Sequence, residues 1–419
     1  MAERAPVALS ATSSDDEIRE VVTSWVEANV PEAWRRAAPG GRAAIRAVRP
    51  RAAYDEWYPT FADSGLAVAT WPVAYLGLDL SVAQARVAEA VLAPYNLGRL
   101  NPLGLNSAAP ALFAHGTEEQ RVRFLPPMVR NEEAWCQLLS EPGAGSDLAS
   151  LAMRAVRDGE EWVLDGQKVW TTWAHFSDFA VCLARTDPHR KKRDGLTYFI
   201  VDLHAPGVDV RPLRHIGGEV DFNEVFLDDV RIPDAWRIGA AGDGWRVAGS
   251  SLAGERQMVS GSGSGGVDRI GGAGADTVVA RAGALGRSAD PVVRQRLMAV
   301  LSEERVRDWT NQRVRASVRA GGTPGPAASI GKVHQGTLNQ AIQMVAADLL
   351  GPDAIAWPAG SDYPDGIPLE VKGMLRSRAN TIEGGTTEVN KNILGERVLG
   401  LPREPDPWAD RPWEEIPRS

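Results

Sequence analysis

Residues 134–173 read AWCQLLSEPGAGSDLASLAMRAVRDGEEWVLDGQKVWTTW, and this stretch decides the fold. A short apolar run leads into the loop Ser140-Glu141-Pro142-Gly143-Ala144-Gly145-Ser146-Asp147. Beyond it, β-rich runs (MRAV, EWVLDG, KVWTTW) alternate with turn signals. Asp158-Gly159 between two such runs predicts a hairpin. Gly143 and Gly145 let the backbone approach a ligand closely. With the hydroxyls of Ser140 and Ser146 and the loop amides, they suit a polar heterocycle or a phosphate. A plain turn with a Ser or Asp cap fits the same spacing. The stretch ends in Lys168-Val169-Trp170-Thr171-Thr172-Trp173. A Trp followed by two Thr gives an aromatic wall beside hydroxyls, suited to a planar cofactor, although a core position in a sheet is the commoner fate of Trp.

Working outward, the texture changes on both sides. Residues 15–133 are rich in Ala, Glu, Arg and Leu, and SVAQARVAEAVLAPY (81–95) has the three- and four-residue apolar spacing of an amphipathic helix. Residues 134–245 continue with FAVCLA, LTYFIVDL, VDVRPL and EVFLDDVRIP, with turns about every ten residues, as in a small β-sandwich or barrel. Helical texture returns over 246–400. The expectation is an α+β chain: a helical domain at 1–133, an antiparallel β-barrel or sandwich domain at 134–245, a four-helix bundle at 246–402, and a proline-rich extended tail at 403–419.

The 419 residues carry 46 basic and 54 acidic side chains, a net charge of −8, with 44% hydrophobic and 24% charged residues. This is ordinary globular composition. No basic stripe of the kind that binds nucleic acid is present. The cluster Arg190-Lys191-Lys192-Arg193 reads as a solvated loop. No run of about 18 apolar residues predicts membrane insertion, and the N-terminus lacks a secretory h-region, so a cytoplasmic location is expected. Cys136 and Cys182 sit in apolar surroundings and are expected to be buried free thiols. The six histidines are scattered with no metal-ligand spacing. Gly261-Ser262-Gly263-Ser264-Gly265-Gly266 contains GxGxxG, but it follows a helical stretch rather than a strand, which argues against a dinucleotide fold.

SEPGAGSD (140–147), QKVWTT (167–172), FNEVFLDDVRIP (222–233) and EGGTTEVNKNILGERVLGLPR (383–403) together resemble the acyl-CoA dehydrogenase family, in the family's order and over roughly residues 20–402. The phrasing is nearest the bacterial branch acting on steroid side chains and other bulky acyl-CoAs. The resemblance implies an FAD enzyme that removes an α-hydrogen of an acyl thioester as a proton and a β-hydrogen as hydride to flavin N5, giving a trans-2-enoyl thioester. By position, Gln137, Leu139, Ser140, Gly145 and Ser146 would line the flavin, with Trp170, Thr171 and Thr172 against it. Arg281 or Arg287 would stand in for the family's pyrophosphate-contacting arginine. Thr386 and Glu388 would touch the ribityl or adenosine part. The thioester would be carried by CoA or an acyl carrier protein, and electrons would leave through electron-transferring flavoprotein. The assembly would be a homodimer or homotetramer, or a hetero-oligomer.

A thioester α-proton is weakly acidic, and its removal takes a positioned carboxylate and a stabilised enolate. Most of the family carries that Glu where this chain has Gly384, and Glu383 is one residue early, about 100° away on a helix. A minority places the base directly before an Arg on a helix after the β domain. Ser251-Leu252-Ala253-Gly254-Glu255-Arg256 matches that place. Glu255 is therefore the expected base, with Arg256 as electrostatic helper and Glu383 as the alternative. The enolate oxygen would be held by the Gly384 N–H and the thioester approached by Ser146. Residues 280–288 and 348–352 depart from the family's pyrophosphate and adenosine stretches. That keeps open a flavin-poor subunit of a heteromeric dehydrogenase, and a flavin oxidase or monooxygenase is a further alternative on this fold.

Overall fold

The computed structural model describes residues 6–259, 274–319, 326–356 and 366–417. Seven helices come first: α1 (Asp15–Asn29), α2 (Glu32–Ala37), α3 (Gly41–Val48), α4 (Arg51–Asp63), α5 (Val82–Leu92), α6 (Ala109–His115) and α7 (Glu118–Arg130). Their starts are written locally. Ser14, Ser81 and Thr117 each cap a helix through a reciprocal pair with Glu17, Gln84 and Gln120, the arrangement that satisfies two orphan amide donors at once.

Eight strands follow: β1 (Trp135–Leu138), β2 (Arg154–Asp158), β3 (Glu161–Thr172), β4 (Phe179–Arg185), β5 (Leu196–Asp202), β6 (Val208–Leu213), β7 (Phe222–Pro233) and β8 (Arg237–Ile238). They form one sheet in the order β6-β7-β3-β2-β4-β5-β8, with β1 against β4. The hairpin at Asp158-Gly159 is present, with Gly159 at φ +61°. Pairing is antiparallel except at β1–β4 and the single β2–β4 bridge, which are parallel. The β2–β3 hairpin lies between β1 and β4 in sequence, giving enough chain for the crossover that parallel pairing requires.

The β4 run FAVCLA lacks alternation because both faces are covered. Val181 and Leu183 join the core shared with the N-terminal helices, whereas Ala180, Cys182 and Ala184 join the core on the other face. Burying each large side chain of this kind contributes about 1.5–3 kcal/mol. Cys136 and Cys182 are free and buried. Burial pushes their thiols up to about 12 and about 11, so neither is a nucleophile near neutral pH.

The last helices are α8 (Gly244–Val259), α9 (Ala275–Ala284), α10 (Pro291–Arg319), α11 (Ser329–Asp348), α12 (Leu369–Arg376) and α13 (Thr387–Arg397). α11 is the centre of this layer, packing against α10, α12 and α13. The expected α+β architecture, helical then β then helical, is the one observed. The glycine run over 261–274 falls outside the described residues, except Gly274.

Candidate active site

The loop after β1 is braced from below. Glu141 and Ala144 exchange backbone bonds of 3.1 and 3.0 Å, closing a tight turn. The buried Glu141 carboxylate accepts from the amides of Ala152 at 2.6 Å and Met153 at 2.9 Å. Lys168, fully buried on β3, donates to Glu141 at 2.9 Å, to the Leu139 carbonyl at 3.0 Å and to the Leu183 carbonyl at 2.7 Å. All three ammonium donors are thereby used, the condition under which a buried charge is tolerated. Val169 N–H bonds the Ser140 carbonyl at 2.9 Å, tying the loop to β3. With its legs fixed, the loop presents Gly145 and Ser146 to solvent.

At the far end of β3 the ladder with β7 slips between Lys168 and Thr171: three residues advance on β3 against two on β7. This β-bulge re-aims a side chain, as bulges beside functional sites do. Trp170 takes φ +61° there and is 56% exposed. A left-handed backbone at a bulky residue is strained and calls for a functional reading. Thr171 beside it is buried, and its hydroxyl has no hydrogen-bond partner among the described residues. Its carbonyl accepts from the buried Asn223 Nδ2 at 3.0 Å, while Asn223 Oδ1 meets His175 Nδ1 at 2.9 Å. Thr172 pairs with Phe222 across the ladder.

The C-terminal motif reaches the same end of the sheet. The Trp170 and Phe222 rings meet edge-on at 5.8 Å, and the Arg376 guanidinium lies 5.5 Å from the Phe222 ring centre. Arg376 in turn meets Glu383 at 3.3 Å, and Asn380 donates to the other oxygen of Glu383 at 3.0 Å. Gly384 and Gly385 follow at φ +62° and +87°. Glycine suits these left-handed positions, where a Glu carries strain.

Of the other expected site residues, Gln137 and Leu139 lie on β1 and its exit, within this frame. Thr386 caps α13, accepting from the Val389 amide at 3.1 Å, and Glu388 is exposed in the first turn. Arg281 is distant in role: it is exposed on α9 and pairs with Glu370 on α12 at 3.3 Å. Glu255 and Arg256 lie on α8, one turn past Ser251; their side chains fall outside the described residues. Ser251 itself is buried, accepting from the Tyr198 hydroxyl at 2.9 Å and donating to the Ser107 carbonyl at 3.0 Å, which anchors α8 on the sheet.

Sequence reading assigned no role to Lys168, Glu141 or Asn223. The polar run of EWVLDGQKVWTT carries no signal that singles out the first; only its burial does. His115 and Ser250 lie 3.0 Å apart, but His115 Nδ1 must accept from Arg246, so Nε2 carries the proton and cannot activate the serine. Among the described residues no cluster of three or more acidic, His or Cys side chains could hold a metal, and no helix is long and apolar enough to cross a membrane.

Three family models match in succession: the acyl-CoA dehydrogenase N-terminal domain over 12–132, the middle domain over 136–230 and the C-terminal domain over 242–399. The chain belongs to the acyl-CoA dehydrogenase family, whose members are flavoprotein oxidoreductases acting on CH–CH bonds. It is 36% identical over 412 residues to the acyl-CoA dehydrogenase IpdE1 of Mycobacterium tuberculosis, covering 93% of this chain and 98% of that protein. Among solved structures, the Tcur3481-Tcur3483 steroid acyl-CoA dehydrogenase superposes with a TM-score of 0.70 at 26% identity, covering 93% of this chain and 98% of that one. The ChsE4-ChsE5 complex of Mycobacterium tuberculosis gives 0.69 at 27%, covering 95% and 100%.

Proposed function

We propose that this chain is an FAD-dependent acyl-CoA dehydrogenase that converts a bulky acyl thioester to its trans-2-enoyl product. The observation that carries the reading is Trp170, exposed and held in left-handed backbone beside the orphan hydroxyl of buried Thr171. That pair fits an aromatic heterocycle: a ring to stack on and a donor awaiting an edge acceptor. Trp170, Thr171 and Thr172 would hold the ring system, with Gln137, Leu139, Ser140, Gly145 and Ser146 on the loop side and Thr386 and Glu388 toward the C-terminal helix. The flavin supplies acceptance of the β-hydrogen as a hydride.

The chain supplies the rest. Glu255 takes the α-proton, with Arg256, next to it in sequence, as its electrostatic helper. The Gly384 amide donates to the thioester oxygen as negative charge develops there. Glu383 is engaged by Arg376 and Asn380, which supports Glu255 over Glu383 as base. Ser146 and the exposed loop meet the thioester. The likeness to the Tcur3481-Tcur3483 steroid acyl-CoA dehydrogenase supports a polycyclic acyl group, with CoA as carrier. Electron-transferring flavoprotein is the proposed acceptor.

The ChsE4-ChsE5 likeness favours a second reading, a subunit that completes its flavin site only with a partner chain, and the solvent-exposed, Glu370-paired Arg281 is consistent with it. A visible spectrum of the chain purified alone, followed by anaerobic titration with acyl-CoAs, decides. A flavin band bleached by a bulky acyl-CoA is expected. A colourless protein that stays inert with added FAD overturns the first reading in favour of the second.

A further inference from the structure

The family match ends at residue 399, and the chain continues. Residues 401–406 have no regular structure, and the tail then folds back onto the β4–β5 connection. Trp413 N–H donates to the Arg190 carbonyl at 2.8 Å and Glu414 N–H to the Pro188 carbonyl at 3.2 Å. Lys191 pairs with Asp410 at 2.5 Å and His189 with Glu414 at 2.6 Å. Thus the basic cluster, a loop whose Arg190, Lys191 and Arg193 stay exposed, is also the tail's landing site.

Trp413 is buried, and its indole N–H donates to the Ser150 carbonyl at 3.2 Å. Its ring covers the Arg185 guanidinium at 4.2 Å. Arg185, also buried, donates to the carbonyls of Ala149 at 2.7 Å, Leu151 at 3.0 Å and Lys192 at 3.2 Å. Ala149 and Leu151 form the outgoing leg of the 140–147 loop, and Lys192 holds Asp147 in that loop at 2.6 Å. The incoming leg is fixed by Lys168 and Glu141. Two buried cations therefore set the two legs of one exposed loop, and the tail is the cover over the second. Trp413 and Ile416 also wall a cleft of about 530 Å³ with Pro142, Gly143, Ala144 and Gln167.

We propose that residues 403–417 are an intramolecular strap and that Trp413, acting through Arg185, is a positioning residue for the loop that receives the cofactor and thioester. A flat ring over a guanidinium both attracts it and keeps water from its carbonyl partners. Without the ring, water competes for Arg185 and the outgoing leg loosens. The cofactor and thioester roles of the loop rest on the function proposed above; the bracing does not.

The test uses the full chain with Trp413→Ala, Trp413→Phe and Arg185→Lys. In the flavin-free protein, amide hydrogen exchange over 139–153 should rise about tenfold in Trp413→Ala and Arg185→Lys and return in Trp413→Phe. In the flavin-loaded enzyme, KM for the acyl-CoA should rise by a similar factor, with kcat changed by less than about twofold. Exchange over 139–153 that stays at the wild-type rate in Trp413→Ala overturns the strap. Should Trp413→Ala fail to fold, the exposed pair Asp410→Asn with Glu414→Gln weakens docking and must raise exchange in the same segment, or the strap is overturned. A wild-type chain that binds no flavin refutes the functional reading alone, since the exchange experiment on the flavin-free protein still decides the strap.

Discussion

Lys168 Nζ lies 2.9 Å from Glu141 Oε1, a buried pair 27 residues apart in sequence that joins the middle of β3 to the foot of the glycine-containing loop. Each partner has further bonds: the lysine to two carbonyls, the carboxylate to two amides. The pair fixes where the loop begins relative to Trp170, two residues further along β3.

Removing one partner strands the other charge in the core. Lys168→Met should cost about 3–5 kcal/mol of stability, read from denaturant unfolding. Exchanging both partners for apolar residues of similar volume should restore part of that loss, yet leave flavin binding weak because the loop carbonyl and amides lose their partners. A Lys168→Met chain of wild-type stability would show that the pair does not set the loop.

Glu255→Gln should lower kcat by about 10²–10⁴, the usual worth of a general base, with the flavin spectrum retained. Glu383→Gln keeps one acceptor oxygen, enough for Arg376 or Asn380 but not both, and should cost less than about tenfold in kcat and about 1 kcal/mol or less in stability. Steady-state kinetics on the two variants separates the carboxylates; the reverse ranking would make Glu383 the base.

Trp170 is more than half exposed, so its removal takes little from the core. Trp170→Gly also suits the left-handed backbone. Stability should move by about 0.5 kcal/mol or less, whereas FAD should bind about tenfold more weakly through the lost ring contact. Fluorescence titration of FAD measures the second effect, and thermal unfolding the first. Unchanged FAD affinity would remove Trp170 from the flavin site.

Strap docking should depend on pH with opposite signs at its two ends. The Glu414 carboxylate, by hydrogen bond and charge, raises the His189 imidazole above its ordinary value. That contribution is full below the unfolded value of about 6.5 and vanishes as pH rises through the raised value. At the other end the Lys191 ammonium, by hydrogen bond and charge, holds the Asp410 carboxyl below its ordinary value. That contribution is present above about 3.9 and is lost as pH falls through the lowered value. Tail cleavage by a protease should be slowest between these limits and accelerate above neutral pH, and His189→Gln should flatten the alkaline limb. Cleavage independent of pH from 5 to 8 would refute the His189 latch.

Local chemistry made the layer order legible. Capping residues start α1, α5 and α7 where Ser14, Ser81 and Thr117 stand, and Asp158-Gly159 turns the hairpin. These signals act over three or four residues, so a linear sequence carries them. The parallel pairing of β1 with β4 was not legible, because it joins segments about forty residues apart through a ladder that leaves no local mark. The tail's landing on 188–192 was hidden for the same reason: its proline-rich composition predicts extension, and only the partner surface fixes where it docks.

The sequence on its own specified the α+β order and the candidate motifs, from which the proposed move of the base from position 384 to 255 starts. Those depend on residue identity and neighbours in the chain. Only the folded chain shows that Lys168 is the loop's inner brace, that Trp170 projects from a strained bulge beside a Thr171 hydroxyl without a partner among the described residues, and that Trp413 closes over Arg185. Each of these depends on burial, which sets whether a charge must be paired, a hydroxyl left waiting or a ring laid over a cation, and burial is a property of the folded chain.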